Sequence, residues 1–200
     1  MSAILVSTFI FLNLGTLNDP APARPSIGSV AADFALVDLP GTTRRLADWR
    51  GNRLVVLVFL RADCPVAELY GDTLGRLADE LGPRGAAFVG IAPEALDTPA
   101  DLERFAGTHG IRFPILRDEG AEVAAALGVR RTPEVVVLDE HRAIRYRGRI
   151  DNQYAVSSRR QEPTRLDLVE AVEELLAGKA VSQPETDAVG CAIVRPHSVS

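Results

Sequence analysis

The seven-residue apolar run LVVLVFL at 54–60 constrains the chain more than any other feature. Its length and β-branched content fit a strand covered on both faces, as in the middle of a parallel sheet. Such a strand needs paired neighbours at its sides and helices above and below it. The run ends in RADCP at 61–65, and a new periodicity begins at once. Ala67, Leu69, Tyr70, Leu74, Leu77, Ala78 and Leu81 recur at helical spacing, and Gly82-Pro83 stops them. Pro65 suits the first turn of that helix, where a missing N–H costs nothing. One cysteine, Cys64, therefore stands at the corner between a buried strand and a helix.

The remaining elements follow the same alternation. Residues 32–46 read as strand, Pro40-Gly41 turn and strand, a hairpin ahead of the first core strand. Residues 86–92 are a second buried strand, and 98–106 a helix capped by Thr98 with Pro99 and Asp101 in its first turn. Residues 113–116 are a short strand, and 121–127 a short helix ending at Gly128. Residues 135–138 form a third core strand that turns at 139–142 and pairs back through 143–149. Residues 165–176 are an amphipathic helix stopped by Gly178. Strands alternating with helices predict an α/β layered domain. We expect that domain over residues 26–180, after an apolar leader and Pro-rich linker at 1–25. Residues 181–200 are expected to be a mobile tail with little need to pack.

Bulk properties narrow the function. The chain has 200 residues, a formal net charge of −5 and 46% hydrophobic residues, which suits one sizeable core. The negative balance argues against nucleic acid as a partner. The basic stretch at 142–149 alternates with apolar residues, as the solvated face of a strand does. With no glycine-rich phosphate loop and no ligand cluster, neither a cofactor nor a metal is expected. His109, His141 and His197 lack ligand spacing and read as surface residues, and Trp49 as packing for the entrance hairpin. The apolar N-terminal run resembles the core of an export signal but lacks a leading positive region. Export to the periplasm or exterior is the favoured reading and a cytoplasmic location the alternative. A membrane would be met only through an uncleaved leader.

Two cysteines are too few for a disulfide scaffold. At a helix start, free N–H groups and the helix dipole favour a thiolate, the reactive form of cysteine. Arg61 lies near enough in sequence to help, whereas Asp63 and Glu68 oppose it. The alternative is an inert, buried Cys64. Arg131-Thr132-Pro133, just before the third core strand, is the second signal. A cis Thr132-Pro133 bond would offer the Thr132 backbone to a neighbouring peptide or disulfide, and a trans turn is the plain alternative.

Together the strand-Cys-Pro-helix corner, the segment GVRRTPEVVVLD at 128–139 and the YRGR hairpin at 146–149 resemble the thioredoxin-fold redoxins. Among these, the chain resembles the alkyl hydroperoxide reductase/thiol-specific antioxidant group and its peroxiredoxin-like relatives. The resemblance covers residues 26–178. It implies a thioredoxin-like fold: a central mixed β-sheet flanked by helices, with an N-terminal β-hairpin extension. It also implies thiol redox chemistry at Cys64 on a peroxide or a disulfide, with an external thiol as reductant. Thr132 and Pro133 would lie against the substrate, with Arg130 and Arg131 supplying positive charge.

There are departures. The C-x-x-C partner position is Ala67, and in the peroxiredoxin pattern P-x-x-x-T/S-x-x-C the first two positions are Leu57 and Arg61. Arg61 replaces a hydroxyl in charge only. Cys191 is a candidate resolving thiol, with a static disulfide or a bystander role as alternatives. A non-enzymatic thioredoxin-fold binding module with a structural Cys64 is the competing class.

Overall fold

The computed structural model describes residues 24–93, 97–155 and 158–194. Most of the leader at 1–25, and His197, lie outside the described residues. In chain order the elements are β1 (Ala35–Asp38), β2 (Thr43–Arg45), β3 (Leu54–Phe59), α1 (Pro65–Leu81), β4 (Ala86–Pro93), α2 (Pro99–Thr108), β5 (Ile115–Asp118) and α3 (Glu122–Ala126). There follow β6 (Arg131–Thr132), β7 (Glu134–Asp139), β8 (Ile144–Gly148), β9 (Tyr154–Ala155), β10 (Ser158–Arg159), α4 (Asp167–Leu176) and β11 (Cys191–Ala192). Among the described residues, no helix is long and apolar enough to cross a membrane.

Seven strands form one mixed sheet in the order β2-β1-β5-β4-β3-β7-β8. The run at 54–60 supplies its middle: β3 pairs in parallel with β4 and antiparallel with β7. Both faces are covered, and the alternation of side chains divides the core in two. Leu54, Val56 and Val58 join Val135 and Val137 on the face packed by Leu74 and Leu77 of α1, Leu102 and Phe105 of α2, and Leu168 and Val172 of α4. Val55, Leu57 and Phe59 join Val136 and Leu138 on the opposite face, with Val123 and Ala124 of α3 and Leu46 after the entrance hairpin. That hairpin, β1–β2, is joined to the sheet through β5. Trp49 packs against this second half of the core.

His109 departs from the surface position expected of it. Its side chain is 9% exposed and bridges Glu68 (Nε2 to Oε2, 2.8 Å) and Asp72 (Nδ1 to Oδ1, 2.7 Å). Burial lowers the imidazole pKa, but the Asp72 and Glu68 carboxylates outweigh burial and raise it. Gly71 makes the site: a Cβ there would stand 2.3 Å from His109 Cγ. A glycine gap on one helix filled from the end of another is a tertiary event that spacing does not announce.

The tail, expected to be mobile, is instead docked over residues 181–194. Arg147 N–H donates to Pro184 O (3.0 Å), Thr186 N–H to Arg147 O (3.1 Å) and Ile193 N–H to Arg130 O (3.0 Å). Short strand β11 pairs antiparallel with β6. The sequence reading missed this because the tail packs by backbone and ion pairs rather than by an apolar stripe. Arg24, within the expected linker, is likewise built into the domain through Glu134 and Glu185.

The two faces of α1 make a direct test. Leu74 is fully buried and Leu69 is 49% exposed. Leu74→Ala should cost about 2–5 kcal/mol of unfolding free energy in urea titrations, and Leu69→Ala no more than about 0.5 kcal/mol.

Candidate active site

Three segments distant in sequence meet at Cys64. The first is the β3–α1 corner. Cys64 is the N-cap of α1, with extended backbone and Pro65 in the first turn. Its carbonyl accepts from Glu68 N–H (3.1 Å) and its N–H donates to Arg61 O (3.3 Å). The second is β6 with the loop behind it. Thr132-Pro133 is cis, and the Cys64 thiol donates to Thr132 O at 3.0 Å. The third is the tail: Cys191 stands opposite Thr132 in the β6–β11 register. That register brings the Cys191 thiol close enough to Cys64 for the two to influence each other's ionisation, and both are free thiols.

The electrostatics separate the two sulfurs. Burial raises the Cys64 pKa, but the Cys191 thiol and the N–H groups of Ala67, Cys191 and Val66 outweigh burial and lower it. Ala67 and Val66 belong to the first turn of α1, whose N–H groups have no partner within the helix. For Cys191, burial comes first, then the hydrogen bond and charge of Cys64. Together they push its thiol up to about 11. In this coupled pair Cys64 ionises first, and Cys191 keeps its proton as a donor to it.

The expected charged helpers take other positions. Arg61 makes a two-pronged pair with Asp63 (2.9 and 2.7 Å), so the helping charge and one opposing charge are largely spent on each other. It also offsets part of the upward shift of Cys191. Glu68, the other opposing charge, is held by His109. Arg131 donates to Gly190 O (2.9 Å) and so fastens the tail, while Arg130 is exposed. Stabilisation of the thiolate therefore comes from the Cys191 thiol and from peptide N–H groups rather than from guanidinium groups.

Several supporting residues carried no sequence signal. Asp97, buried beyond β4, accepts from Ala62 N–H (2.9 Å) and from Asp63 N–H, holding the loop that leads into Cys64. Burial, then the nearby Asp63 charge, raise its pKa against those hydrogen bonds. Glu134, directly after Pro133, accepts from the N–H groups of Arg130 (3.0 Å) and Arg131 (3.3 Å) and shapes the approach to Thr132.

Arg147 is buried to 1% exposure, donating to Leu127 O (2.9 Å) and to Glu185 (2.6 Å). Arg24 reaches both Glu185 (2.9 Å) and Glu134 (2.8 Å). The tail is thus anchored six residues before Cys191 by a charge cluster that also orders the Thr132 loop. Thr186 adds hydrogen bonds with Tyr146 Oη (2.7 Å) and from Arg149 N–H (3.1 Å). It lies so close to Gly148 that a Cβ there would stand 2.1 Å from its hydroxyl. Tyr154 packs edge-on against Tyr70, whose hydroxyl donates to buried Asp151, beside the early turns of α1. Among the described residues, no group of three or more His, Cys, Asp or Glu side chains is placed to hold a metal.

A cysteine capping the helix after a central strand, facing the carbonyl before a cis-proline, defines a redoxin of the thioredoxin fold. The chain belongs to the AhpC/TSA family, whose model matches residues 27–147. It is 32% identical over 114 residues to the thiol-disulfide oxidoreductase ResA of Halalkalibacterium halodurans, covering 57% of this chain and 63% of that protein. It is 34% identical over 109 residues to a putative peroxiredoxin of Mycobacterium tuberculosis, covering 52% and 65%. Both matches thus span somewhat less than two thirds of the relative's length. Among solved structures, a hypothetical protein from Sinorhizobium meliloti 1021 superposes with a TM-score of 0.80 at 28% identity, covering 88% of this chain and 97% of that one.

The ionisation order is testable by thiolate absorbance and by alkylation mapped to each cysteine. Cys64 should titrate below the ordinary thiol value of about 8.5, and its alkylation rate should plateau above its own pKa. Replacing Cys191 with Ala should move that midpoint upward, because a donor to the thiolate is lost.

Proposed function

We propose that this chain is a two-cysteine thiol peroxidase. The observation that supports it is that Cys191 is paired opposite Thr132, the residue whose carbonyl accepts from the Cys64 thiol at 3.0 Å, in the folded, reduced protein. The Cys64 thiolate attacks one oxygen of a hydroperoxide, the O–O bond breaks, and the other oxygen leaves as an alcohol or water after taking up a proton. Cys64 becomes a sulfenic acid. The Cys191 thiol then attacks the Cys64 sulfur, the S–O bond breaks, and water leaves with the thiol proton. A Cys64–Cys191 disulfide remains. Two equivalents of an external thiol return it to the dithiol. The Cys191 thiol and the N–H groups of Ala67, Cys191 and Val66 stabilise the attacking thiolate in a site where position 61 carries Arg rather than a hydroxyl.

Thiol–disulfide exchange is the second reading, favoured by the Thr132 carbonyl standing 3.0 Å from the Cys64 sulfur beside a cis-proline. In the export reading, the apolar run at the N-terminus acts as a leader, with a cytoplasmic protein as the alternative. N-terminal sequencing of the mature chain distinguishes them.

Peptide mapping under non-reducing conditions tests the mechanism. One equivalent of hydrogen peroxide should convert the reduced protein to a Cys64–Cys191 disulfide. Cys64→Ser should reduce peroxide consumption to background. Cys191→Ser should still react once and stop at a sulfenic acid trapped by dimedone. A wild-type protein that forms no such disulfide and consumes no peroxide returns Cys64 to the role of a structural cysteine in a binding module.

A further inference from the structure

The backbone edge beside the reactive thiol is filled by the chain itself. Strand β6 is two residues long and stands outside the seven-stranded sheet, with β11 as its partner. An exposed strand edge next to a thiol is a site for an extended peptide, bound by main-chain hydrogen bonds. Here the tail lies along it as such a peptide would. Cys191 is opposite Thr132 and Ala192 opposite Arg131, Ile193 N–H donates to Arg130 O (3.0 Å), and Arg131 donates to Gly190 O (2.9 Å). The segment sets a cysteine opposite Thr132, whose carbonyl accepts from the Cys64 thiol, where the scissile residue of a disulfide substrate would sit. Cys64 is left with no exposed surface, whereas Cys191 is only partly covered.

We propose that Gly190-Cys191-Ala192 is a built-in substrate strand, which occupies the Thr132 edge in cis and so screens Cys64 from the cysteine peptides of other proteins. This deepens the peroxidase reading and rests on it. The fit is selective for the residue before the cysteine. Gly190 has φ +156°, and a Cβ there would stand 2.0 Å from Thr132 O and 2.7 Å from its carbonyl carbon. The backbone, being pinned, has little room to yield. A peptide able to take this place therefore needs glycine immediately before its cysteine. The Arg147–Glu185 pair and the Thr186–Gly148 contact hold the strand in position from upstream.

The experiment compares two reagents on Cys64 in a Cys191→Ser background, which removes the competing thiol but keeps the strand. One reagent is a Gly-Cys-Ala peptide whose cysteine is activated as the mixed disulfide with 2-nitro-5-thiobenzoate. Cys64 attacks the peptide sulfur, the old S–S bond breaks, and the coloured thiolate leaves. The other is methyl methanethiosulfonate, which is small and has no main chain to pair with the Thr132 edge. The ratio of the two rates cancels changes in the Cys64 thiolate population.

Adding Gly190→Val should push the strand off Thr132 while keeping the Glu185 anchor. A chain ending at Asp187 removes the strand outright and covers the case of a poorly folded valine variant. In both, the peptide-to-small-reagent ratio should rise at least roughly tenfold, the opening of a β-augmentation edge. A Val-Cys-Ala peptide should gain far less. An unchanged ratio in both variants, with Cys64 still reacting with the small reagent and with peroxide, would overturn the built-in strand and leave the peroxidase reading standing. A Cys64 inert to peroxide and to both reagents in every protein would overturn the two together.

Discussion

The hydrogen bond from the Cys64 thiol to the Thr132 carbonyl joins pieces of chain 68 residues apart, and the rest of the site is arranged around it. On one side it depends on β3 delivering Cys64 to the start of α1. On the other it depends on Glu134 gathering the N–H groups of Arg130 and Arg131 so that Thr132 presents its carbonyl. A buried thiol so placed has two states available. Protonated, it donates to the carbonyl. Ionised, it accepts from the peptide N–H groups of Ala67, Cys191 and Val66. Burial alone would favour the first state; the Cys191 thiol and the converging N–H groups favour the second and outweigh burial, so the pKa is lowered.

The second thiol has an unusual origin. In a C-x-x-C motif it would arise from the next turn of the same helix. Here that position is Ala67, which contributes its N–H instead, and the thiol arrives from the other end of the chain. A cysteine delivered by a tail must be held against the entropy of that tail. The structure does so in part through a buried cation. Arg147 is an interior cation whose carboxylate partner comes from the tail, and Arg24 draws on the same carboxylate from the N-terminal side. Removing Glu185 would leave Arg147 a buried charge without its carboxylate, a costly state. The anchor thus adds to the packing of Val181, Cys191 and Ile193 against the core.

Much of the scaffold was legible along the chain. The LVVLVFL run became the central strand β3, and both of its faces are buried as its unbroken apolar character requires. The Cys-Pro corner became an N-cap followed by a first-turn proline, and Thr98 and Asp101 formed the reciprocal cap of α2. The hairpin at Pro40-Gly41 and the helix stop at Gly128 also followed from local chemistry. The readings that failed share one cause. His109 reads as a surface residue because Gly71, 38 positions earlier, shows no local sign that it is a vacancy for an imidazole. The tail reads as mobile because Glu185, Thr186 and Gly190 have no periodicity; their partners are Arg147, Gly148 and Thr132, on other elements.

The sequence by itself determined the core strands and helices, the α/β layering and the identity of the corner cysteine. Strand and helix periodicity, proline and glycine stops, and capping residues act over a few neighbours. Only the tertiary structure decided how the charges near Cys64 add up and which thiol stands beside it. Arg61 spends its charge on Asp63, Glu68 meets His109, Arg131 clasps the tail, and Cys191 reaches the Cys64 sulfur. Electrostatic influence and hydrogen bonding depend on distance and direction in space, and separation along the chain carries neither.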